Sequence, residues 1–332
     1  MGKKDTDFLR DKQKLPLKNK IALTEIKIKH FYNAFNGDVY LSWSGGKDST
    51  VLKNIIENLG LNIPFVFCNT GLEYPELVEF VKKEIDNIHD YKEVEKYGYN
   101  YRIYNNKSIK NQVVILKPKM PYKKVIEKYG YPLISKEQSQ YIYDYNNTNS
   151  DYMKDIRLNG NKNGNFGISQ KWKYLIDAPF DISSKCCDVM KKRPFKRYET
   201  ETGRHPLVAT MAEESTLRKQ KYLLNGGCNI YDSKRPISAP MSFWTQQDVL
   251  QYIKDFDLEI PKVYGKIVKE DEDLKTSGLE RTGCIFCMYG VHLDDEPNRF
   301  QRLKETHPKL YKYAMKDLKL DEVLEYIDVP IK

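Results

Sequence analysis

Apolar residues recur at helical spacing at Ile21, Ile28, Phe31, Tyr32 and Phe35, which predicts a helix behind a charged N-terminal arm. Asn36-Gly37 then reads as a turn into the strand Val39 to Trp43. A polar, glycine-rich segment follows, Ser44-Gly45-Gly46-Lys47-Asp48-Ser49-Thr50, and after it the helical run Val51 to Leu59. Ile63 to Cys68 predicts a second strand that ends at Asn69-Thr70-Gly71, and Pro75 suits the first turn of the next helix. Gln112 to Leu116 and Pro206 to Thr210 read as further strands. Ser135-Lys136-Glu137-Gln138 has capping-box form and opens a helix. Asn159 to Asn165, rich in Gly and Asn, reads as a loop, and Thr245 to Asp248 begins a helix that Ile260-Pro261 ends. Strands alternating with helices predict an α/β fold with an open, mostly parallel sheet flanked by helices. The last third reads as helical and loop-rich, without repeats.

The 332 residues are 40% hydrophobic and 30% charged, enough to bury a core. No apolar run reaches the ~18 residues a membrane span needs. Met1 to Pro16 is polar, so no secretory leader and a cytoplasmic location are expected. Met1-Gly2 with Thr6 fits a loose myristoylation pattern that is too common to carry weight. The net charge of +9 suits an anionic partner, and it equally suits plain solubility. The 25 tyrosines lie among lysines as a coding bias toward Lys, Asn, Tyr and Ile would leave them. Lys107, Lys110, Lys117, Lys119, Lys123 and Lys124 could track a nucleic-acid backbone, with a solvated surface as the plainer reading.

Ser44 to Thr50 sits between a strand and a helix. Glycines there let an anion approach the backbone, and a helix start presents free N–H groups. Ser44, Ser49 and Thr50 add hydroxyls and Lys47 a positive charge, while Asp48 either caps the helix or orients Mg²⁺. The spacing is not that of a Walker A loop. The plain alternative is a glycine-rich turn capped by Asp48.

The six cysteines are Cys68, Cys186, Cys187, Cys228, Cys284 and Cys287. An adjacent pair and a C-x-x-C point to metal ligation rather than a disulfide framework. Thiolate-bound metal and inert buried thiols are the readings, and an adjacent pair is awkward for a tetrahedral zinc. Lys185, Lys191, Lys192, Arg193 and Arg281 place positive charge near these cysteines in sequence. Cys228, in Gly226-Gly227-Cys228-Asn229, is expected in a tight exposed turn, as a reactive thiol or as an alternative ligand to Cys186. Cys68 falls in a buried strand and reads as core. The histidines form no ligand pattern.

Ser44-Gly45-Gly46-Lys47-Asp48-Ser49 resembles the pyrophosphate loop of the adenine-nucleotide alpha-hydrolase superfamily. Cys68-Asn69-Thr70-Gly71-Leu72-Glu73-Tyr74-Pro75-Glu76 resembles the second-strand motif of the phosphoadenosine phosphosulfate (PAPS) reductase family. Ala212-Glu213-Glu214-Ser215 with Arg218, and Pro240 with Trp244-Thr245 and Asp248-Val249, resemble two later motifs of that family. Cys186-Cys187 with Cys284 and Cys287 is similar to the iron–sulfur pattern of adenosine phosphosulfate (APS) reductases.

The resemblance implies an adenine nucleotide, ATP or APS/PAPS, bound by Ser44 to Thr50, Asn69, Thr70, Gly71, Glu214, Ser215 and Arg218. It implies Lys47 and Asp48 as catalytic groups, with Cys228 as a third candidate, and a cluster on Cys186, Cys187, Cys284 and Cys287. The implied division is an arm at 1–20, a nucleotide-binding domain at 21–230 and a cluster-binding C-terminal part at 231–332. Two features depart from the family. Ala209-Thr210-Met211 stands where an anion-binding arginine is usual, and no cysteine follows Cys287 to serve as the reductase nucleophile. ATP-dependent sulfur transfer to an acceptor is therefore expected, with APS/PAPS reduction to sulfite and a non-catalytic nucleotide- or cluster-sensing module as rivals. A nucleic-acid acceptor, a sulfur or electron donor protein and a second copy of the chain are the partners left open.

Overall fold

The computed structural model describes residues 3–86, 91–96, 99–104 and 112–331. The strands are β1 (Val39–Ser42), β2 (Phe65–Cys68), β3 (Tyr91–Lys96), β4 (Tyr99–Tyr104), β5 (Val113–Leu116), β6 (Leu133–Ile134), β7 (His205–Leu207), β8 (Asn229–Ile230), β9 (Ile237–Ser238), β10 (Ile267–Glu270), β11 (Asp273–Thr276) and β12 (Met288–Tyr289). Eight of them form one sheet in the order β3-β4-β5-β2-β1-β7-β9-β8. Its centre is parallel: β2 and β7 flank β1, β5 follows β2 and β9 follows β7. The margins are antiparallel, at β3–β4, β4–β5 and β8–β9.

A central parallel strand is covered on both faces, so it reads as a continuous apolar run rather than an alternating one. β1 and β2 do this. Leu41, Phe65 and Phe67 enter one core cluster with Trp43, Val51, Leu52, Ile55 and Ile56. Tyr40, Val66 and Cys68 enter the other with Val114, Leu116 and Tyr198. The Tyr40 hydroxyl donates to Glu199 Oε1 at 2.7 Å, and burial, then Glu199, raises its pKa. From β1 the chain goes to β2 on one side, and later to β7 on the other. The strand order thus reverses at β1, where open α/β sheets place ligands beyond the strand ends.

The chain separates into two compact units. The first comprises Met1–Asn69, Glu73–Lys117 and Pro194–Thr282, and holds the large sheet and the β10–β11 hairpin. The second comprises Thr70–Leu72, Pro118–Arg193 and Gly283–Lys332. It is mainly helical, with β6 and β12 paired in parallel.

Several sequence expectations meet corrections. The charged arm is helical over Lys3–Gln13, and Leu9 is fully buried. The helix opened by Thr245 stops at Asp255 rather than running to Ile260, because the chain turns through a left-handed Asp257. The hairpin β10–β11 lies in the stretch expected to be helix and loop. Ser135 caps helix Lys136–Asn147 as expected, accepting from Gln138 N at 3.1 Å. No described helix is long and apolar enough to cross a membrane.

Candidate functional site

The glycine-rich segment leaves β1 and enters helix Lys47–Asn58, whose N-cap is Gly46 rather than Asp48. Gly45 is left-handed, φ +73°, a conformation L side chains rarely adopt. The loop is tied by its own hydroxyls. Ser44 N donates to Ser49 Oγ at 3.2 Å, Gly46 N to Ser44 Oγ at 3.3 Å, and Ser49 Oγ to Gly46 O at 2.9 Å. Thr50 Oγ1 accepts from Trp43 Nε1 at 3.4 Å. Asp48 lies in the first turn, where a carboxylate favours the helix dipole. Its Oδ1 is buried and accepts no hydrogen bond, and Lys47 Nζ stands 3.2 Å away.

Lys47 is 1% exposed, deep burial for an amine, and Asp48 is its carboxylate partner. Its Nζ donates to Glu280 O at 3.0 Å and its N–H to the Tyr264 hydroxyl at 3.2 Å. Tyr264 in turn bonds Thr282 Oγ1 at 2.7 Å. Nothing in the sequence flags Tyr264, Glu280 or Thr282, because all three reach the loop from a segment more than ~200 positions away along the chain, a separation that local pattern reading does not span. Arg281 neighbours Arg218: burial, then Arg281, lowers the Arg218 pKa, and Asp48 opposes them.

The other expected nucleotide residues divide. Glu214 accepts from Met211 N at 2.7 Å and ion-pairs with Arg218. Ser215 caps helix Thr216–Leu224, accepting from Arg218 N at 3.3 Å. Both side chains are thus engaged locally. Asn69 closes the β2 end through Leu116 O at 2.9 Å, while Thr70 and Gly71 belong to the second unit, where Thr70 Oγ1 accepts from Leu72 N. The Pro240–Asp248 stretch is a brace. Trp244 is fully buried and donates from Nε1 to Thr24 Oγ1 at 2.8 Å, and Asp248 Oδ2 takes both Thr245 N and Lys20 Nζ.

In the second unit, Cys186, Cys187, Cys284 and Cys287 line one narrow cavity of about 20 Å³, with Leu72, Tyr122, Met190, Lys191 and Phe286. The adjacent pair sits on Lys185–Cys187, which widens into a π turn over Asp188–Lys192, a form frequent at functional sites. Cys284 and Cys287 span a turn closed by Cys287 N to Cys284 O at 3.0 Å. Cys186 donates to Cys187 Sγ at 3.9 Å. That bond, with Lys136 and Lys191 nearby, lowers the Cys187 pKa to about 6 against the pull of burial, while the same bond and burial raise that of Cys186. Burial also raises Cys287 and Tyr122, and the Tyr122 hydroxyl feels Cys186, Cys287 and Cys284.

Four thiols with an apolar surround and one lysine are the donor chemistry of an iron–sulfur cluster. Among the described residues no group of three or more His, Cys, Asp or Glu side chains is arranged to hold a metal ion, so the thiols match such a cluster in kind without being closed on one ion.

Cys228 differs from expectation. Despite its glycine neighbours it is 3% exposed and belongs to the first unit's core. Burial pushes its thiol up to about 11. A nucleophilic thiol needs the opposite, a lowered pKa and access.

Residues 38–148 match the family model described as the phosphoadenosine phosphosulfate reductase domain. An uncharacterized protein of Methanocaldococcus jannaschii is 24% identical over 316 residues, covering 92% of this chain and 54% of that protein. The chain thus spans about half the length of that curated relative. The crystal structure of phosphoadenylyl-sulfate (PAPS) reductase from Candida auris, a phosphate complex, is similar at a TM-score of 0.41 and 12% identity, over 82% of this chain and 98% of that one. The matched residues 38–148 carry β1, the glycine-rich loop, β2 and β5, so it is this part of the chain that is similar to the phosphoadenosine phosphosulfate reductase domain.

Proposed function

We propose that Ser44 to Thr50 binds the phosphates of ATP, that Cys186, Cys187, Cys284 and Cys287 hold a [4Fe–4S] cluster, and that the reaction is adenylation of an acceptor followed by sulfur transfer. The observation that carries this reading is the placement of the cysteines: four line one cavity, and Cys68 and Cys228 are sealed in the core. A sulfonucleotide reductase needs an accessible thiolate free of metal to attack sulfur; Cys68 and Cys228 are buried, and the other four thiols would be taken up by the proposed cluster.

In the reaction an acceptor oxygen attacks the α-phosphorus of ATP, losing its proton as the bond to pyrophosphate breaks. Sulfide, as HS⁻, then attacks the acceptor carbon and displaces AMP, the C–S bond forming as the C–O bond to AMP breaks. The loop amides and the Lys47 ammonium stabilise charge on the leaving pyrophosphate. Arg218 and Arg281 supply positive charge that Ala209-Thr210-Met211 lacks, and Asp48 would hold the Mg²⁺ carried by the nucleotide. When bound, a [4Fe–4S] cluster supplies electrons or a sulfur-binding iron. The acceptor is proposed to be a nucleic acid, in keeping with the +9 charge and with Lys117, Lys119, Lys123 and Lys124, which are exposed. Lys107 and Lys110 lie outside the described residues.

The test is anaerobic protein given ATP, APS or PAPS, with bulk tRNA or duplex DNA as acceptor probe, and pyrophosphate and sulfite both measured. The expected result is pyrophosphate from ATP that depends on the probe, and little thioredoxin-dependent sulfite. Robust sulfite release that survives Cys228→Ser would overturn the reading in favour of a reductase. Nucleotide binding without either product would overturn it in favour of a sensing module.

A further inference from the structure

The start of helix Lys47–Asn58 is already partnered by the protein itself. Tyr264, 2% exposed, ends the short turn Lys262–Tyr264, and its hydroxyl accepts the N–H of Lys47, the first helical residue, at 3.2 Å. The same hydroxyl is held by Thr282 Oγ1 at 2.7 Å. Lys47 Nζ lies 5.4 Å from the Tyr264 ring centroid and donates to Glu280 O at 3.0 Å. A Cβ built on Gly46 would stand 3.0 Å from the Tyr264 hydroxyl, so the phenol closes on the glycine-rich turn directly.

These contacts come from one strap. Its ends are stitched together by Gly278 N to Tyr264 O at 2.9 Å and Leu279 N to Val263 O at 3.0 Å, and beyond them the chain runs out as the β10–β11 hairpin. The strap is therefore a closed loop, which Gln247 holds at Leu274 by two hydrogen bonds, Nε2 to Leu274 O at 3.0 Å and Leu274 N to Oε1 at 2.8 Å. Burial holds the phenol pKa up at about 12, so a neutral hydroxyl faces the amide.

An anion at a helix start takes its first-turn amides and any nearby ammonium. Here the Tyr264 hydroxyl takes the amide and the Glu280 carbonyl takes the ammonium. We propose that the strap Pro261–Thr282 is a built-in competitor of the nucleotide phosphates, with Tyr264 as its gate, so that nucleotide binding displaces the Tyr264 hydroxyl and opens the strap. This rests on the nucleotide reading of Ser44 to Thr50.

Tyr264→Phe keeps the ring and removes the hydroxyl. In calorimetry with ATP, and with inorganic pyrophosphate as a smaller probe, it is expected to bind roughly three- to tenfold tighter than wild type, the scale of one net hydrogen bond. Thr282→Val, which frees the hydroxyl without removing it, is expected to shift affinity the same way by less. In wild type, ATP is expected to speed amide hydrogen exchange across residues 262–282. Binding that is equal or weaker in Tyr264→Phe, with strap exchange unmoved by ATP, would overturn the gate while leaving the nucleotide reading in place. Absence of binding by both proteins to ATP, APS and PAPS would overturn that reading and the gate with it.

Discussion

Cys187→Ser, Cys284→Ser and Cys287→Ser are each expected to give colourless protein from an anaerobic preparation that is brown in wild type, with iron and acid-labile sulfide lost together. Each thiol lines the same cavity, whose surround is mainly apolar, with Leu72 and Phe286 among its walls. Losing an outer-shell partner already weakens metal binding by roughly 10- to 100-fold, and losing a ligand weakens it further. Cys186→Ser is expected to behave like the other three. Cys68→Ser and Cys228→Ser are expected to keep their iron, since both thiols pack in the first unit's core. Folded content measured by circular dichroism separates lost iron from lost protein. Wild-type protein that carries zinc and no iron, or a colourless Cys228→Ser that is still folded, would sink the assignment.

The second large effect is expected in Gly46→Val. Gly46 has an ordinary extended backbone, φ −76° and ψ 159°, so valine brings no backbone strain. The added Cβ instead stands 3.0 Å from the Tyr264 hydroxyl, 3.3 Å from Ser44 Oγ and 3.4 Å from Thr282 Oγ1, and the branches reach further into the turn. A phosphate approaching the helix start would meet carbon where it needs backbone N–H. We expect ATP affinity to fall by at least roughly tenfold, the equivalent of about 1.4 kcal/mol, with the far-ultraviolet spectrum unchanged. Unchanged calorimetric binding would refute the loop assignment.

What could be read from the sequence was local. The run from Val39 through Thr50 declares itself because strand, glycine turn and helix follow one another in the chain, and each has its own period or breaker. Ser135 and Thr245 were legible for the same reason, since a cap needs only the next three residues. Tyr264 was not, because its hydroxyl meets Lys47 across 217 positions and no local pattern encodes that. The glycine neighbours of Cys228 mislead: Gly226 and Gly227 do make a turn, with φ +67° and +146°, but the following residue enters the core near Tyr222, its Sγ 4.0 Å from Pro240 O. The motif around Trp244 was legible as a family mark. Its Thr24 and Lys20 contacts make it an anchor between two helices, so it reports architecture and says nothing of substrate.

The two units are interleaved along the chain: Pro194–Thr282 of the first lies between the two cysteine pairs of the second. With a cluster held as proposed, the polypeptide becomes a lasso. Its knot is the cysteine quartet and its noose is everything between Cys187 and Cys284, including β7, the Trp244 anchor and the strap. A crosslink closing a noose of about 100 residues removes unfolded-state entropy equivalent to roughly 4–5 kcal/mol in the chain-entropy estimate. That stabilisation acts on the whole noose, although no iron touches it. Stripping the metal would therefore destabilise β7 and the rest of the noose as well, by enlarging the space of unfolded chains they must outcompete.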